Sequence, residues 1–479
     1  FSKINASYFI LLRIYGLFIC LNFPKFRTLF MLFSASLTTL SPLPPTMPIE
    51  DSRMPGFHRL TPKERREKLA EVAGLTKEHV DAWESGILEM GIADRMIENV
   101  VGTYSLPIGV ATNFVIDDKH YAIPFVVEEA SVVAAASNMA KRCLKNGGFR
   151  SKNDDPVMIG QIQVVGIENV DDGRTSVLSS KDEIIEICNE VDPILVKFGG
   201  GCKDIEARPI KTDSGDMLIV HILVDCRDAM GANAVNTMAE TVAPKIEELT
   251  GGTVILRIIS NLAVHRLARI SATFTPEEMS DNGKDPQQGS EVINGVIQAY
   301  HFAAADPFRA TTHNKGIMNA ISSVAIACGQ DWRAIESGAH AYAAFGNKNS
   351  TYGSMTEWSM DEEGNLVGSI ELPMAVGLVG GAIRIHPGAK ANVALLGVET
   401  ADELGKVMAS AGLAQNLGAL RALATVGIQA GHMKLHLQNM AAAAGADDDE
   451  IEQVSKIVRS SGERITMAAV VAALESVRS

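Results

Sequence analysis

The chain has 479 residues, 46% hydrophobic and 21% charged, a folded globular composition that excludes a disordered chain. Its 57 acidic residues outnumber 43 basic ones, giving a formal charge of -14, and only 5% are aromatic. That excludes a general nucleic-acid binder, whose footprint is basic and whose single-strand platforms are aromatic. At about 100–200 residues per domain, the length predicts two to four structural units.

Residues 1–46 differ from the rest. Tyr8–Phe23 is apolar but broken by Arg13, and it is shorter than the roughly 20 residues a membrane-spanning helix needs. From Met47 the composition is normal for the cytosol. Residues 1–46 are therefore expected to be disordered, as a non-native extension or a targeting segment, with a membrane anchor as the alternative.

Beyond Leu60, Thr61 as cap and Pro62 in the first turn mark a helix start, with Glu64 and Glu67 near its positive end. Helical patterns continue to about Val101. Asp117-Asp118 reads as a hairpin turn within residues 105–125. Residues 126–148 read as one long Ala-rich helix, stopped by Gly147-Gly148.

The most legible block covers residues 156–260. It predicts a strand over Val157–Ile167, a helix over Lys181–Val191, strands over Ile205–Thr212 and Met217–Cys226, a helix over Ala229–Leu249 and a strand over Thr253–Ile259. That β-α-β-β-α-β order is the split, ferredoxin-like pattern, here an inserted unit of about 100 residues. Mixed helix and strand signals follow to about residue 425. From Gln429 the pattern is almost all helical, with Asp447–Glu450 starting one helix and Ser460–Gly462 separating it from the last.

Six cysteines (Cys20, Cys143, Cys188, Cys202, Cys226, Cys328) have no CxxC spacing. They form neither a zinc framework nor a disulfide scaffold, and fit a reducing compartment. Neither GxGxxG nor GxxxxGK[ST] occurs, so the usual dinucleotide and P-loop fingerprints are absent. Two glycine clusters, Gly199–Gly201 and Gly377–Gly381, either bring backbone N–H groups to an anion or make tight turns. Asp228–Asn233 opens a helix directly after a strand, with Gly231 and Ala232 leaving the first turn bare. That is either an anion site suited to a pyrophosphate or a small-residue packing contact.

His432 and His436 share a helix face, but HMKLH lacks the glutamate of a zinc protease, and no third ligand is near. One of them acting as a general acid is the sharper reading, a solvated helical histidine the bland one. Glu128-Glu129 are either capping acids or, if buried, proton donors with a raised pKa. A buried Lys315 would need a carboxylate, and Asp331 follows in CGQDWR. Such a pair would polarise a carbonyl oxygen.

In this order the segments resemble the soluble class II 3-hydroxy-3-methylglutaryl-CoA (HMG-CoA) reductases over essentially Met47–Ser479. The carriers are Glu98–Gly102 (ENVVG), Pro124–Ser131 (PFVVEEAS), Gly199–Glu206 (GGGCKDIE), Asp228–Glu240 (DAMGANAVNTMAE) and Arg257–Ala263 (RIISNLA). They continue with Asp306–Asn319 (DPFRATTHNKGIMN), Gly329–Ala334 (GQDWRA), Gly377–Ala382 (GLVGGA), Gly412–Thr425 (GLAQNLGALRALAT) and Gly431–His436 (GHMKLH).

The resemblance implies an α+β fold: a large substrate and dimerisation domain (47–155 and 261–426), an inserted ferredoxin-like nicotinamide domain (156–260) and a C-terminal helical flap (427–479). It implies reduction of a thioester to an alcohol by two nicotinamide hydrides. Lys315 would be the cationic polariser, Glu129 the acid that protonates oxygen, Asp331 the bridge tuning both, and His432 the acid for the CoA thiolate. Ser131, Arg309, Asn319, Gln415 and Asn416 would hold the hydroxymethylglutaryl part. Asp228, Met230, Gly231 and Asn233 would lie under the pyrophosphate, with Glu98 and Asn261 near the cofactor. Asp192 would bind the adenosine ribose and repel a 2′-phosphate, which favours NAD(H), with NADP(H) as the alternative.

The implied partners are HMG-CoA, mevalonate and CoA, within a cytoplasmic homodimer, or an assembly of dimers, whose sites are shared across the interface. No metal, nucleic acid or membrane partner is implied from residue 47 on. Competing readings are a non-catalytic binding protein on the same scaffold and an enzyme working mainly to oxidise mevalonate.

Overall fold

The computed structural model describes residues 47–86, 88–345, 351–425, 437–461 and 465–479, all within one compact unit. The expectations for residues 1–46 and for His432 and His436 lie outside the described residues.

The strands are β1 (Ile108–Ile116), β2 (Lys119–Val126), β3 (Phe149–Ser151), β4 (Val157–Val165), β5 (Gly201–Thr212), β6 (Gly215–Asp225), β7 (Thr253–Ser260), β8 (Leu267–Phe274), β9 (Thr356–Met360) and β10 (Leu366–Pro373). They form a six-stranded sheet, β2-β1-β3-β8-β10-β9, and a four-stranded one, β5-β6-β4-β7. In the β1–β2 hairpin, Asp117 and Asp118 both take positive φ, 48° and 68°, as a tight two-residue turn between twisted strands demands.

The four-stranded sheet is antiparallel throughout, with the strand order of a split β-α-β unit. Helices α1 (Val170–Ser179), α2 (Lys181–Val191) and α3 (Ala232–Thr250) accompany it. Their apolar residues join the strands in a core that includes Met158, Ile162, Ile184, Ile222, Val235 and Met238. Two details depart from the sequence pattern. Strand β5 starts at Gly201 rather than Ile205, because a bulge between Cys202 and Asp204 lets pairing with β6 continue. Helix α1 was not anticipated; Asn169 caps it by accepting from the N–H groups of Asp171 and Asp172.

A third departure positions the candidate site. Residues 126–148 do not make one helix. Pairing of β2 with β1 persists to Val126, and the helix α4 (Val132–Arg142) begins only after Ser131, which is left-handed at φ 74°. Glu128 and Glu129 therefore lie on the strand-to-helix loop. A left-handed non-glycine residue costs of order 1–3 kcal/mol and collects at functional sites.

The larger core holds the six-stranded sheet, α4 and a set of long helices. Chief among these are α5 (Pro286–Ala305), α6 (Pro307–Ala327), α7 (Trp332–Phe345), α8 (Pro387–Leu396) and α9 (Ala401–Ala424). Small residues let α6 and α9 approach closely: a Cβ on Gly412 would lie 2.8 Å from Ile321. At the C-terminus, α10 (Asp448–Ser460) starts on an Asp447–Glu450 capping box, and α11 (Met467–Arg478) follows it. They share their own core of Leu437, Val454, Val458, Val470 and Leu474. Among the described residues no helix is long and apolar enough to cross a membrane.

Candidate active site

Helix α6 carries most of the predicted chemistry. Asp306 caps it by accepting from the N–H of Arg309, and Pro307 fills its first turn. Lys315 and Asn319 are four residues apart, hence on one face. Both reach the strand-to-helix loop: Lys315 Nζ donates to Glu129 Oε2 at 2.7 Å, and Asn319 Nδ2 donates to the same oxygen at 3.3 Å. The pair opens onto a cleft of about 600 Å³, open solvent included, whose lining includes Val127, Met318 and Ile326. Lys315 is 60% exposed and Glu129 37%, so this is an accessible ion pair and not a buried one.

Asp331 is elsewhere. It caps α7, accepting from the N–H of Ala334 at 3.1 Å, and lies 3.7 Å from Arg333. From Lys315 the helix runs on to Ala327, about 18 Å at 1.5 Å per residue. Asp331 lies beyond that end and makes no bond to Lys315 or Glu129 of its own chain. Glu336, one turn further on α7, does line the cleft, its carboxylate accepting from Ser322 Oγ at 2.8 Å. No motif singles it out.

Packed against α6 is a buried polar network. His313 is 3% exposed, and burial, assisted by the Arg309 charge, pushes its pKa down to about 3. Its Nε2 lies 2.8 Å from Thr356 Oγ1, 2.9 Å from Ser354 Oγ and 3.1 Å from Asn416 Nδ2. Asn416 Oδ1 accepts from Thr356 Oγ1 and Trp358 Nε1. Asn416 is thus spent on the core. Its neighbour Gln415, turned about 100° around the helix, is 7% exposed with Oε1 unpaired among the described residues. An orphaned buried acceptor suits a ligand's donor. Arg309 is half-buried, which lowers its pKa. Ser131 joins Glu129 on the loop, held left-handed before α4.

The Asp228–Asn233 turn meets the second glycine cluster. A Cβ on Gly377 would strike Met230 N, and the N–H groups of Leu378 and Val379 donate to Asp228 O at 2.8 and 3.2 Å. Asp228 Oδ1 accepts from Ala401 N–H at the start of α9. Arg266, 5% exposed, donates to the carbonyls of Ala229, Met230 and Val376. Gln330 clamps Gly377 from the other side. Both residues escaped the sequence reading; Gln330 was visible only as the letter before Asp331. Helix α3 then starts bare: Gly231 has φ 106°, no side chain caps it, and a Cβ there would hit Cys226 Sγ. Nineteen residues of helix dipole behind free N–H groups fit an anionic cofactor.

Asp192 caps the short helix Pro193–Lys197 through Leu195 N–H, and Gly199 and Gly201, both left-handed, shape the turn after it. Glu98 and Asn261 are exposed and are not brought to the Glu129–Lys315 pair by any bond. Among the described residues no cluster of three His, Cys, Asp or Glu could hold a metal, and the five described cysteines are free and buried.

An exposed lysine–carboxylate pair in a cleft and an uncapped helix start beside a separate sheet suit a mixed α/β enzyme scaffold. The chain belongs to the hydroxymethylglutaryl-coenzyme A reductase family, whose sequence profile matches residues 61–437. It is 57% identical over 407 residues to the 3-hydroxy-3-methylglutaryl-coenzyme A reductase of Archaeoglobus fulgidus, covering 85% of this chain and 91% of that one. It is 34% identical to the probable reductase of Borreliella burgdorferi, over 72% and 77% of the two chains.

Among solved structures, 3-hydroxy-3-methylglutaryl-coenzyme A reductase from Streptococcus pneumoniae superposes with a TM-score of 0.75 at 38% identity, covering 88% of this chain and 99% of that chain. A class II structure from the same organism, bound to NADPH in open conformations, gives 0.74 at 39%, covering 78% and 99%. Membership makes this chain an oxidoreductase interconverting HMG-CoA with mevalonate and free CoA, by two successive hydride transfers with a nicotinamide cofactor.

Proposed function

We propose that the cleft beside α6 is where the thioester is reduced, and the observation that carries this is the Glu129–Lys315–Asn319 contact. The Lys315 ammonium polarises the carbonyl oxygen as negative charge grows on it, the largest single lever such a site has. Glu129, bonded to that ammonium, delivers the proton to oxygen and helps collapse the hemithioacetal. Arg309 forks onto the free carboxylate of the substrate, while Ser131, Asn319 and Gln415 orient the rest; the unpaired Oε1 of Gln415 supports its part. Asn416, engaged with Trp358 and Thr356, serves the same helix from behind. His432 protonates the departing CoA thiolate, carried by a flap over residues 427–479.

Asp331 completes the set as the residue that tunes Lys315 and Glu129. Its distance from them within one chain supports a homodimer in which each Asp331 serves the partner's pair. The nicotinamide cofactor supplies hydride. Its pyrophosphate rests on the bare start of α3, within a nicotinamide domain over residues 156–260. Asp192 favours NADH. The NADPH held by the pneumococcal enzyme favours a second reading with NADPH. Lys203 and Arg227, both bonded to Gly199 O on the loop after Asp192, are the cations available to it.

The test is HMG-CoA-dependent oxidation of NADH and NADPH, with mevalonate- and CoA-dependent reduction of NAD in parallel. His432→Gln is expected to lose thioester reduction while keeping most reduction of free mevaldehyde. Equal loss of both would sink the thiolate-acid role, and a wild-type chain inactive in every format would sink the reading as a whole.

A further inference from the structure

Gln330 stands where two loops from different sheets converge. Helix α6 ends at Ala327 with Cys328 as its C-cap, Gly329 turns left-handed at φ 65°, and Asp331 then caps α7. Between them the Gln330 amide faces the loop that follows β10. Its Nε2 donates to Gly377 O at 2.9 Å and to Cys328 O at 3.1 Å, and its Oε1 accepts from Gly377 N–H at 2.9 Å. Both amide protons are used, and the reciprocal pair with Gly377 mimics one rung of a β-ladder.

Gly377 is in turn pressed on the backbone of Asp228–Met230, where no side chain fits. Leu378 and Val379 bond to Asp228 O, and Arg266 fastens Val376 O together with the carbonyls of Ala229 and Met230. The chain of contacts runs unbroken from the residue before Asp331 to the residue before the bare start of α3.

We propose that Gln330 is a positioning residue that fixes the Asp228–Asn233 turn relative to Asp331, so that cofactor seating and the placement of the tuning carboxylate Asp331 are set by one side-chain amide. It touches neither substrate nor cofactor and acts through the Gly377 backbone. The inference rests on the reading of Asp228–Asn233 as the cofactor's anion site. Loss of the clamp frees two hydrogen bonds to one glycine, and the glycine loop then shifts against Met230. Gln330→Ala is expected to weaken nicotinamide binding about tenfold, the equivalent of one good hydrogen bond of preorganisation. It should lower kcat as Asp331 moves, and leave the KM for HMG-CoA within about twofold.

Gln330→Glu supplies a readout that a merely structural residue would not move. As a carboxylate it accepts from Gly377 N–H but repels Gly377 O. As a neutral acid it restores one donor and one acceptor in the amide's geometry. Its nicotinamide affinity relative to wild type should therefore begin to recover as pH falls from 8 to about 4.5, close to the ordinary glutamate pKa.

The experiment is fluorescence titration of NADH and NADPH into full-length wild type, Gln330→Ala and Gln330→Glu at both pH values, with steady-state kinetics for both substrates. Selective weakening of nicotinamide with acid rescue of the glutamate variant supports the proposal. Unchanged nicotinamide affinity in folded variants, or equal rises in both KM values without acid rescue, overturns it. A wild-type chain that binds nicotinamide but reduces no HMG-CoA overturns the reading of the cleft alone, because the titrations still report on Gln330.

Discussion

On the proposed reading the cleft and the junction around Gly377 share one task, holding an anionic ligand in an acidic protein, and go about it by opposite means. At the cleft, side chains work: Lys315 is exposed and Glu129 half-buried, and they are joined by one ion pair with Asn319 as a further donor to the carboxylate. At the junction, backbone works. The Asp228–Gly231 segment is held by the buried Arg266, pinned by Asp228 to α9 and packed against Gly377 so tightly that a methyl group has no room. Groups that must change protonation or charge partners are left free. Groups that only present N–H dipoles are over-determined. Substitutions should therefore separate into those that lose rate without stability and those that lose both binding and stability.

The largest effect tests the first half of that contrast. Lys315→Ala is expected to lower kcat about 10²–10³-fold, the loss found when one group stabilising an oxyanion is removed. Its melting temperature should hardly change, because an exposed ion pair contributes only about 0–1 kcal/mol. A melting temperature that falls with the rate would show that the pair holds the loop as well as doing chemistry, and the contrast would fail.

Beneath the cleft the contrast sharpens. His313 is buried with its pKa held near 3, against 6.5 for a free histidine, so it is neutral in the fold and protonates more readily in the unfolded chain. The unfolded state thus binds more protons between those values, and stability must rise with pH across the window. It should decline as pH drops below about 6.5 and continue falling toward 3, by a few kcal/mol at most. Unfolding by urea at pH 7 and pH 4.5 measures this. His313→Gln should flatten the difference while lowering stability at pH 7. An unchanged pH dependence would mean that other groups set it.

At the junction, Gly377→Ala forces a Cβ onto Met230 N. Overpacking of that kind costs about 1–3 kcal/mol, and here it should also weaken nicotinamide binding, with Glu129 and Lys315 untouched. Denaturant midpoints and cofactor titrations on one preparation check both. Lost stability with full cofactor affinity would detach the glycine loop from the anion site.

These two regions were unequally legible in the sequence. The elements of the four-stranded sheet, the Asp117-Asp118 turn and the Asp447–Glu450 cap follow from local patterns of period, turn and capping residue. Glu129 and Lys315 were visible as residues, and family motifs gave them roles. Their mutual contact was not visible, because it depends on β2 pairing on to Val126 and on Ser131 turning left-handed, neither of which local propensity encodes. The junction was least legible. Gly377 looked like a possible phosphate loop on its own, yet its partner Met230 is distant in sequence. Arg266 and Gln330 bond to backbone atoms that no pattern of side chains reveals.

The smallest expected effect lies at the rim of the junction, where a side chain again reads the ligand. Asp192 spends one carboxylate oxygen on Leu195 N–H, and on the proposed reading the other meets a ribose hydroxyl. A carboxylate there raises the energy of a nearby 2′-phosphate by repulsion, while Lys203 and Arg227 on the next turn work the other way. Arg227 is already engaged by the buried Asp225, so most of its charge is compensated within the protein. The acid should therefore win, and by a modest margin. Asp192→Ala is expected to narrow the NADH over NADPH ratio of kcat/KM by about tenfold, one charge-assisted hydrogen bond exchanged for relief of repulsion. The change should come mostly through KM and shrink at high salt, since the rim is solvated and screened. A ratio that stays fixed would move cofactor choice from this side chain to the backbone-built part of the site, and the division between the two regions would have to be redrawn there.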